Sequence, residues 1–404
     1  MNWGRLGTGI LLSSVLMAGA MPARTAPAPQ KRVAIITDSW YPRSHADVIG
    51  LRLLQGYKMG DRHYASPVTI ASVYAQAPRA TDRTRVLASQ HGFRVATSVA
   101  DALLIDSGTG SPRLAVDGVL VLTREELPAG PSPTRRAQLV AEILAILDKT
   151  GARIPIFIDK MLAANWQDSQ EIVRAARRSN IPLMAGSVLA FAPPDRLVRI
   201  GRPRVAVVAA STPYGAFALH AAELLQRYME QRTTQETGIS SIQEVGRDYW
   251  SHPDRDGWGG KTLDALLASA RTLRSDRPRA FPPPGAEPRV LLLQYTDGTR
   301  GVLALIPRVF DDREFLLGAE LADGTTTLGG IALEGDPFDH FGYLVHALVE
   351  FFTTGQAPAP VERTLLTTGL ILTGAELTRG PVGLPTPFLR ISYAPPMPAQ
   401  PRSR

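Results

Sequence analysis

The sequence contains no cysteine. This absence excludes thiolate nucleophiles, cysteine-based zinc sites and lipid attachment at a cysteine. The chain has 404 residues, of which 44% are hydrophobic and 20% are charged. A chain of this length can form two domains, and its core needs no disulfide or metal to be stable. The composition therefore indicates an ordinary globular protein.

Long runs of basic residues are also absent, although the formal net charge is +7. The densest pairs, Arg135-Arg136 and Arg177-Arg178, are interpreted as solvated helix faces. Because no run of Lys and Arg is interleaved with aromatic residues, we expect no nucleic-acid partner. The seven histidines are dispersed along the chain, so we also expect no metal site.

The N-terminus has the pattern of an export signal. Arg5 supplies one positive charge, residues 6–20 are uncharged and mostly apolar or small, and Ala18-Gly19-Ala20 matches a small-x-small cleavage site. A segment of about fifteen residues is short for a bilayer span. We therefore expect a Sec-type signal peptide at 1–20, a periplasmic protein without a stable membrane span, and a Pro/Ala linker at 21–30.

Strands alternate with helices over residues 31–187. Short β-branched or apolar runs at 32–37, 68–75, 117–122, 154–159 and 181–186 are separated by segments with helical periodicity. Such alternation indicates a parallel sheet covered by helices on both faces. We expect an α/β, Rossmann-like doubly wound domain here.

The second half, residues 188–379, has a different pattern. Asp297-Gly298 and Asp323-Gly324 each lie between two apolar runs and indicate β-hairpins. Two helices are expected near 338–354 and 361–377. We therefore predict a C-terminal α+β domain with an open, mostly antiparallel sheet, followed by a Pro-rich tail at 380–404 that lies on the surface.

Glycine is missing from the first strand-to-helix turn, residues 37–45. A dinucleotide site needs glycines there, so that backbone N–H groups can approach the pyrophosphate. Arg43 and the helix N-terminus, capped by Ser44, could still bind an anion. The alternative is a capped helix after a packed aromatic loop. The second strand also lacks the usual ribose-binding acid, and only Gln76 could replace it weakly.

The loop at 246–260 combines aromatic residues with acids. Aromatic rings can stack on sugar faces while carboxylates accept hydrogen bonds from hydroxyls. The alternative is a loop that packs its own aromatic residues onto the domain.

Residues 154–187 read as strand, loop, helix and strand, and they resemble the Gfo/Idh/MocA oxidoreductases. That family has a Glu-Lys-Pro tripeptide at the end of this strand, where this chain has Asp159-Lys160-Met161. Similar stretches occur at 86–104 and 336–363, and the resemblance covers residues 31–377. It implies a doubly wound domain followed by an α+β domain.

The resemblance also implies site residues. Lys160 would contact cofactor and substrate and assist proton transfer, unless it is simply a surface lysine. His220 stands where the family has a catalytic histidine, although Ala216 replaces the expected aspartate, and the alternative is a core histidine. Tyr214 is a further candidate proton donor. The residues implied for NAD or NADP are Thr37, Arg43, Ser44, Gln76 and Asp159.

Three functions are compatible with these residues and motifs. The first is an NAD(P)-dependent oxidoreductase acting on a sugar or polyol in the interdomain cleft. The second is an exported, cofactor-independent carbohydrate-binding or lyase/isomerase-like protein on the same scaffold. The third is a structural or interaction protein. In the resembled family the open sheet commonly forms a dimer face, which implies a homo-oligomer.

Overall fold

The computed structural model describes residues 1, 30–108, 112–124, 135–195, 201–215, 217–274, 287–333, 338–377 and 383–396. The predicted signal peptide and most of the linker lie outside these residues. The strands are β1 (Lys31–Thr37), β2 (Tyr57–Met59), β3 (Arg62–Tyr64), β4 (Val68–Ala75), β5 (Arg94–Ala96), β6 (Leu104–Ile105), β7 (Arg113–Leu114), β8 (Gly118–Val121), β9 (Ile156–Asp159), β10 (Leu183–Gly186), β11 (Pro203–Ala210), β12 (Ile239–Glu244), β13 (Arg289–Tyr295), β14 (Arg300–Leu305), β15 (Glu314–Leu321), β16 (Thr326–Ala332) and β17 (Gly383–Pro385). The helices are α1 (His45–Gln55), α2 (Thr84–His91), α3 (Val99–Leu103), α4 (Arg135–Thr150), α5 (Trp166–Arg178), α6 (Ala218–Met229), α7 (Gly260–Ala268), α8 (Phe341–Thr354) and α9 (Val361–Leu377).

The first sheet has six parallel strands in the order β10-β9-β8-β1-β4-β5. The order reverses between β1 and β8, as in a doubly wound nucleotide-binding fold. Strands β8, β9 and β10 and most of β1 are buried on both faces because helices cover both sides, which explains their continuous apolar sequences. The prediction of a Rossmann-like domain is confirmed. Ligands of such sheets bind at the carboxyl ends of the strands beside the reversal.

The second sheet has seven strands in the order β16-β15-β11-β14-β13-β12-β17. Both predicted hairpins are present, and only β11 and β14 pair in parallel. One face packs against α6. The other is covered by α7 and by aromatic residues of the 246–258 loop. The open face on which the oligomer prediction depends is therefore closed by this chain itself, and the oligomeric state stays a prediction.

Helices α8 and α9 come from the second half of the chain but pack against the first. Helix α8 contacts α1 and β2, whereas α9 contacts α5, β10 and α6. One hydrophobic core consequently extends from Val33 in β1 to Leu377 in α9. This continuity brings α6 close to the carboxyl ends of β9 and β10.

The predicted surface tail is wrong for residues 383–393. Strand β17 pairs with β12 at the edge of the second sheet, and both Leu389 and Tyr393 are buried. The Pro-rich sequence misled the prediction because Pro is compatible with an edge strand, where an N–H is not needed for the ladder. In the described parts of the chain, no helix is long and apolar enough to cross a membrane.

Candidate active site

Lys160 lies where the sequence places it, directly after β9 at the carboxyl edge of the first sheet. Its side chain is half-buried, and its Nζ lies 5.4 Å from the ring centroid of Phe217. Burial lowers the pKa of Lys160, and Arg136 lowers it further, while Asp159 and Glu223 act in the opposite direction. A lysine with a lowered pKa is poised to act as a base.

Arg136 corrects the interpretation of Arg135-Arg136 as a solvated helix face. The Arg136 side chain is completely buried and bonds residues at the carboxyl ends of β8 and β9. Its Nε donates to Thr123 Oγ1 at 2.9 Å, and its Nη1 donates to the Asp159 carbonyl at 2.8 Å and also to the Met161 carbonyl. Arg136 thereby fixes the backbone on both sides of Lys160. Arg177 and Arg178 are exposed, as expected.

His220 lies in the first turn of α6 and faces the same region. It is buried, and its ring contacts Phe217 at 5.7 Å and Phe315 at 6.3 Å between centroids. Burial lowers the pKa of His220 well below its ordinary value, and the neighbouring Lys160 adds to this effect. The imidazole is therefore neutral at neutral pH. The structure brings His220 and Lys160 together, as the resemblance implies.

Glu223 follows His220 by one helical turn and is fully buried. Its Oε2 accepts from the Ser187 backbone N–H at 2.7 Å, and its Oε1 accepts from the Thr364 hydroxyl at 3.2 Å. Burial raises its pKa to about 7 despite these hydrogen bonds. Gly186 permits this approach: it has φ +126°, and a Cβ there would lie 2.6 Å from Glu223 Oε1.

Three buried polar atoms in this region lack a partner among the residues described. They are Asp159 Oδ1, Ser187 Oγ and His220 Nδ1; His45 Nδ1 also has no assigned hydrogen bond, but it lies 2.7 Å from Asp159 Oδ2 in an ion pair. Buried polar groups are nearly always hydrogen-bonded, and an unpartnered one costs about 1–3 kcal/mol. Three such atoms at the carboxyl edge of the sheet indicate a place for a polar ligand or water. We call the group formed by Lys160, Asp159, Ser187, His220 and Glu223 the site cluster.

Asp159, implied as a cofactor contact, instead pairs with His45. His45 Nδ1 lies 2.7 Å from Asp159 Oδ2. Burial acts to raise the pKa of Asp159, but His45, Lys160 and Arg136 outweigh it, so the pKa lies below its ordinary value. The sequence motifs did not single out His45. A titratable residue at the first position of α1, in the turn that follows β1, was the signal that could have found it.

The β1–α1 turn is where a doubly wound fold would hold a dinucleotide. Here the Trp40 N–H and the Ser39 hydroxyl both donate to Asp82 Oδ2, at 2.7 and 2.8 Å. The Arg43 N–H donates to Asp47 Oδ2 at 2.9 Å, and the Asp47 N–H donates to Ser44 Oγ at 3.2 Å. The donors that would bind phosphate are thus used by the chain's own side chains. The residues present do not fit a pyrophosphate at this turn.

Trp40 fills the volume behind the same turn. Its side chain is fully buried, its ring stacks on Phe93 at 5.9 Å, and its Nε1 donates to Asp47 Oδ1 at 3.0 Å. Gly50 makes room for it, because a Cβ there would lie 2.3 Å from the indole. The capped helix after a packed aromatic loop, one of the two alternatives from the sequence, is the arrangement observed. The exposed Arg43 side chain remains beside the turn.

Thr37 and Gln76 are also engaged by the protein. The Thr37 hydroxyl donates to the Leu122 carbonyl at 3.1 Å and is buried. Gln76 Oε1 accepts from Arg135 Nε. The Thr37 hydroxyl is thus committed to the sheet, and the Gln76 carbonyl oxygen to Arg135.

Tyr214 does not reach the site cluster. Its hydroxyl donates to the Ile371 carbonyl, Arg289 lies 4.3 Å over its ring, and burial raises its pKa above the ordinary value. This contact removes Tyr214 from the candidate proton donors. Phe217, which the sequence did not single out, takes the place beside Lys160 and is 61% exposed.

The aromatic loop at 246–258 belongs to the far face of the second sheet. Tyr249 is fully buried, and its hydroxyl donates to the Trp258 carbonyl at 2.9 Å. This loop therefore packs its own aromatic residues onto the domain, which was one of the two alternatives from the sequence. Within the described ranges, no group of three or more His, Cys, Asp and Glu is arranged to hold a metal ion.

Comparison with known proteins identifies the scaffold. No family model matches the chain, and no curated protein matches it in sequence. Solved structures do match. GenD2 from gentamicin A biosynthesis, in complex with NAD, has 14% identity and a TM-score of 0.56, and the match covers 91% of this chain and 99% of that one. A putative myo-inositol dehydrogenase from Sinorhizobium meliloti has 13% identity and a TM-score of 0.51, covering 88% and 99%. The apo scyllo-inositol dehydrogenase from Lactobacillus casei has 11% identity and a TM-score of 0.53, and the match covers 88% of this chain and 98% of that one.

These proteins share the two-part architecture with this chain over nearly their whole length. The resemblance to the Gfo/Idh/MocA dehydrogenases is therefore confirmed at the level of the fold. At such low identity the structural similarity shows only a shared fold. The chemistry of the site must be argued from the residues of this chain.

Proposed function

We propose that this protein is an acid–base enzyme that moves protons on a sugar or polyol without a dinucleotide, with Lys160 and His220 in the reacting site. The main support for this proposal is the set of unpartnered buried polar atoms near Lys160, whose pKa is lowered. Such a combination favours a catalytic site over a structural ion pair. The hydroxyl groups of a polyol would supply the missing hydrogen-bond partners.

Burial shifts the pKa values of three titratable groups in this region. It lowers the pKa of Lys160, lowers that of His220 well below its ordinary value, and raises that of Glu223 to about 7. Groups with strongly shifted pKa values cluster at catalytic sites. The exposed ring of Phe217, next to Lys160, is available to the apolar face of a sugar.

Proton exchange tests this proposal directly. The full chain would be incubated in D₂O with D-fructose or 2-keto-myo-inositol, and NMR would follow loss of the hydrogens next to the carbonyl. We expect exchange without any added dinucleotide, loss of exchange in Lys160→Met, and unchanged exchange in Lys261→Met, whose side chain is 80% exposed. Absence of exchange with every substrate, or exchange that survives in Lys160→Met, would contradict the proposal.

An NAD(P)-dependent sugar or polyol dehydrogenase is the second candidate. The fold favours it, because the structural neighbours include a complex with NAD and two inositol dehydrogenases. The occupied β1–α1 turn opposes it. Release of NAD(P) on denaturation, or a thermal shift with micromolar NAD(H) or NADP(H), would favour this candidate.

We also propose export to the periplasm, on the strength of the pattern at residues 1–20. Mass spectrometry of protein from the periplasmic fraction should find an N-terminus after Ala20. An intact N-terminus on cytoplasmic protein would contradict export.

A further inference from the structure

His45 occupies a special position relative to the site cluster. It is the first residue of α1, and its neighbour Ser44 caps that helix. Its imidazole contacts Asp159 through Nδ1 at 2.7 Å, and its side chain is 27% exposed while that of Asp159 is 6% exposed. The imidazole therefore links a buried carboxylate to an open surface, directly beside the residue that precedes Lys160.

The surroundings fix the His45 ring without consuming both of its nitrogens. Its ring lies edge-on to Phe341 at 5.3 Å, where α8 reaches over the first sheet. The titratable groups that interact with it are Asp159 from β9 and His220 from α6, while Lys160 acts on both of these groups and His340, before α8, acts on His220. A carboxylate at Nδ1 holds an imidazole in the tautomer that leaves Nε2 free to accept a proton.

Resting on the proposed function, we infer that His45 is a second proton-transfer group of the site, positioned by Asp159, and that the substrate is a carbonyl-bearing sugar or polyol. His45 would touch the substrate through Nε2. Asp159 acts through His45 and is a positioning residue. His45 stands at the start of α1, after the turn whose phosphate-binding donors are already used, and Asp159 stands at the end of β9.

Two such groups suffice for a complete reaction. One base removes the proton from a hydroxyl-bearing carbon next to the carbonyl; the electron pair of that C–H bond forms a C=C bond, and the carbonyl π pair moves onto oxygen to give an enediolate. The second group, in its protonated form, returns a proton to carbon. Protonation of the same carbon re-forms the original carbonyl and gives an epimer, whereas protonation of the former carbonyl carbon, with transfer of the neighbouring hydroxyl proton to the former carbonyl oxygen, gives an isomer. The product is an epimer or an isomer, atoms and electrons balance, and no oxidant or reductant is needed.

The first experiment reads the tautomer of His45 without substrate. Nitrogen-15 NMR of the histidine-labelled full chain resolves seven imidazoles, and His45→Gln assigns the signal of interest. We expect the Nδ1–H tautomer in the wild type and a change in tautomer ratio in Asp159→Asn. A wild-type Nε2–H tautomer, or a ratio unaffected by Asp159→Asn, would overturn the inference.

The second experiment measures exchange in D₂O on D-fructose and 2-keto-myo-inositol. His45→Gln should slow exchange about 100-fold or more with little change in KM, and Asp159→Asn should slow it and shift its pH profile. His91→Gln, on the exposed end of α2, is the matched control. Exchange at the wild-type rate in His45→Gln overturns this inference alone, whereas wild-type exchange in Lys160→Met overturns the proposed function. Thermal unfolding of each variant identifies any that fail to fold.

Discussion

Two buried glutamates in the same half of the chain show opposite behaviour. Glu223 and Glu236 are both fully buried. Burial raises the pKa of Glu223 to about 7. Burial acts on Glu236 in the same direction, but the hydrogen bonds and charge of Arg232 outweigh it, and the pKa of Glu236 is lowered. The partners, rather than the depth of burial, decide the charge state.

Glu236 has more hydrogen-bonding and charged partners than Glu223. Glu236 belongs to a network that also contains Gln226, Glu230, Arg232, Arg363 and Tyr393, here called the C-terminal network. Arg232 bonds both oxygens of Glu236 at 2.8 Å, and Tyr393 donates to Glu230 at 2.7 Å. Within the part of the chain that the structure describes, none of these six has an unpartnered buried side-chain atom, unlike the site cluster. A buried polar network in which every group is hydrogen-bonded stabilises the fold, whereas buried polar groups without partners indicate a ligand site.

The largest expected effect concerns function in the site cluster. Lys160→Met should reduce proton exchange by about 10²–10⁴-fold, because it removes the candidate base. The free energy of unfolding should change by less than about 1 kcal/mol, since the site is not built for stability. Denaturant unfolding and NMR exchange measure the two quantities. A variant that is strongly destabilised would place Lys160 with the structural network instead.

The C-terminal network should respond in the opposite way. Arg363 donates from Nε to Glu230 Oε1 at 2.8 Å, and a second bond joins its Nη2 to the other oxygen. Arg363→Met should cost about 3–5 kcal/mol in the free energy of unfolding, because it leaves a buried carboxylate without its cation. The folded fraction should retain its activity.

Arg177→Met is the control for that variant. Arg177 is 60% exposed in its pair with Glu362, so the loss should be below about 1 kcal/mol. Equal losses in both variants would remove the distinction between buried and exposed pairs in this protein.

The pH dependence of stability separates the two glutamates. The pKa of Glu223 rises on folding from 4.5 to about 7, so its contribution is fully present below pH 4.5 and is lost as the pH rises through 7. That loss corresponds to about 3 kcal/mol. Glu223→Gln should flatten this slope when denaturant unfolding is measured between pH 4 and 8.

Glu236→Gln is the opposing variant. The pKa of Glu236 is lowered on folding, so its contribution is present above its ordinary pKa and is lost toward acidic pH. This variant should therefore lose stability at neutral pH. A slope that is unchanged in Glu223→Gln would contradict a raised pKa at that residue.

The smallest expected effect concerns Phe217. Its ring is 61% exposed and should contribute about 1 kcal/mol of stacking to a bound sugar. Phe217→Ala should weaken binding of myo-inositol or D-fructose about fivefold in calorimetry without changing the melting temperature. Phe388→Ala, 41% exposed and packed on Trp166, serves as the control. Equal affinities in Phe217→Ala and the wild type would remove Phe217 from the site.

Local signals in the sequence predicted the local structure. Ser44 forms the expected cap of α1, and Asp297-Gly298 joins β13 to β14 in the expected hairpin. Each of these depends on residues close in sequence. The alternation of strands and helices likewise predicted the doubly wound sheet, and Lys160 lies at the strand end where it was expected.

Long-range contacts account for what the sequence did not show. His45 meets Asp159 across 114 positions, a separation for which a single sequence has no periodic signal. Arg136 and Tyr214 were interpreted from neighbours in sequence, but their partners are the ends of β8 and β9 and a carbonyl of α9. Polar residues that become buried by tertiary packing are the ones whose roles were misjudged.

The C-terminal network has a consequence for the order in which the protein is made. Tyr393 bonds Glu230 across 163 positions, and the segment that contains it closes the edge of the second sheet. A ribosome that has just synthesised Glu230 must therefore add all of those residues before the carboxylate gains its phenol partner. Nascent chains that stop before β17 hold an unfinished sheet edge, and chaperones or proteases can recognise them by it.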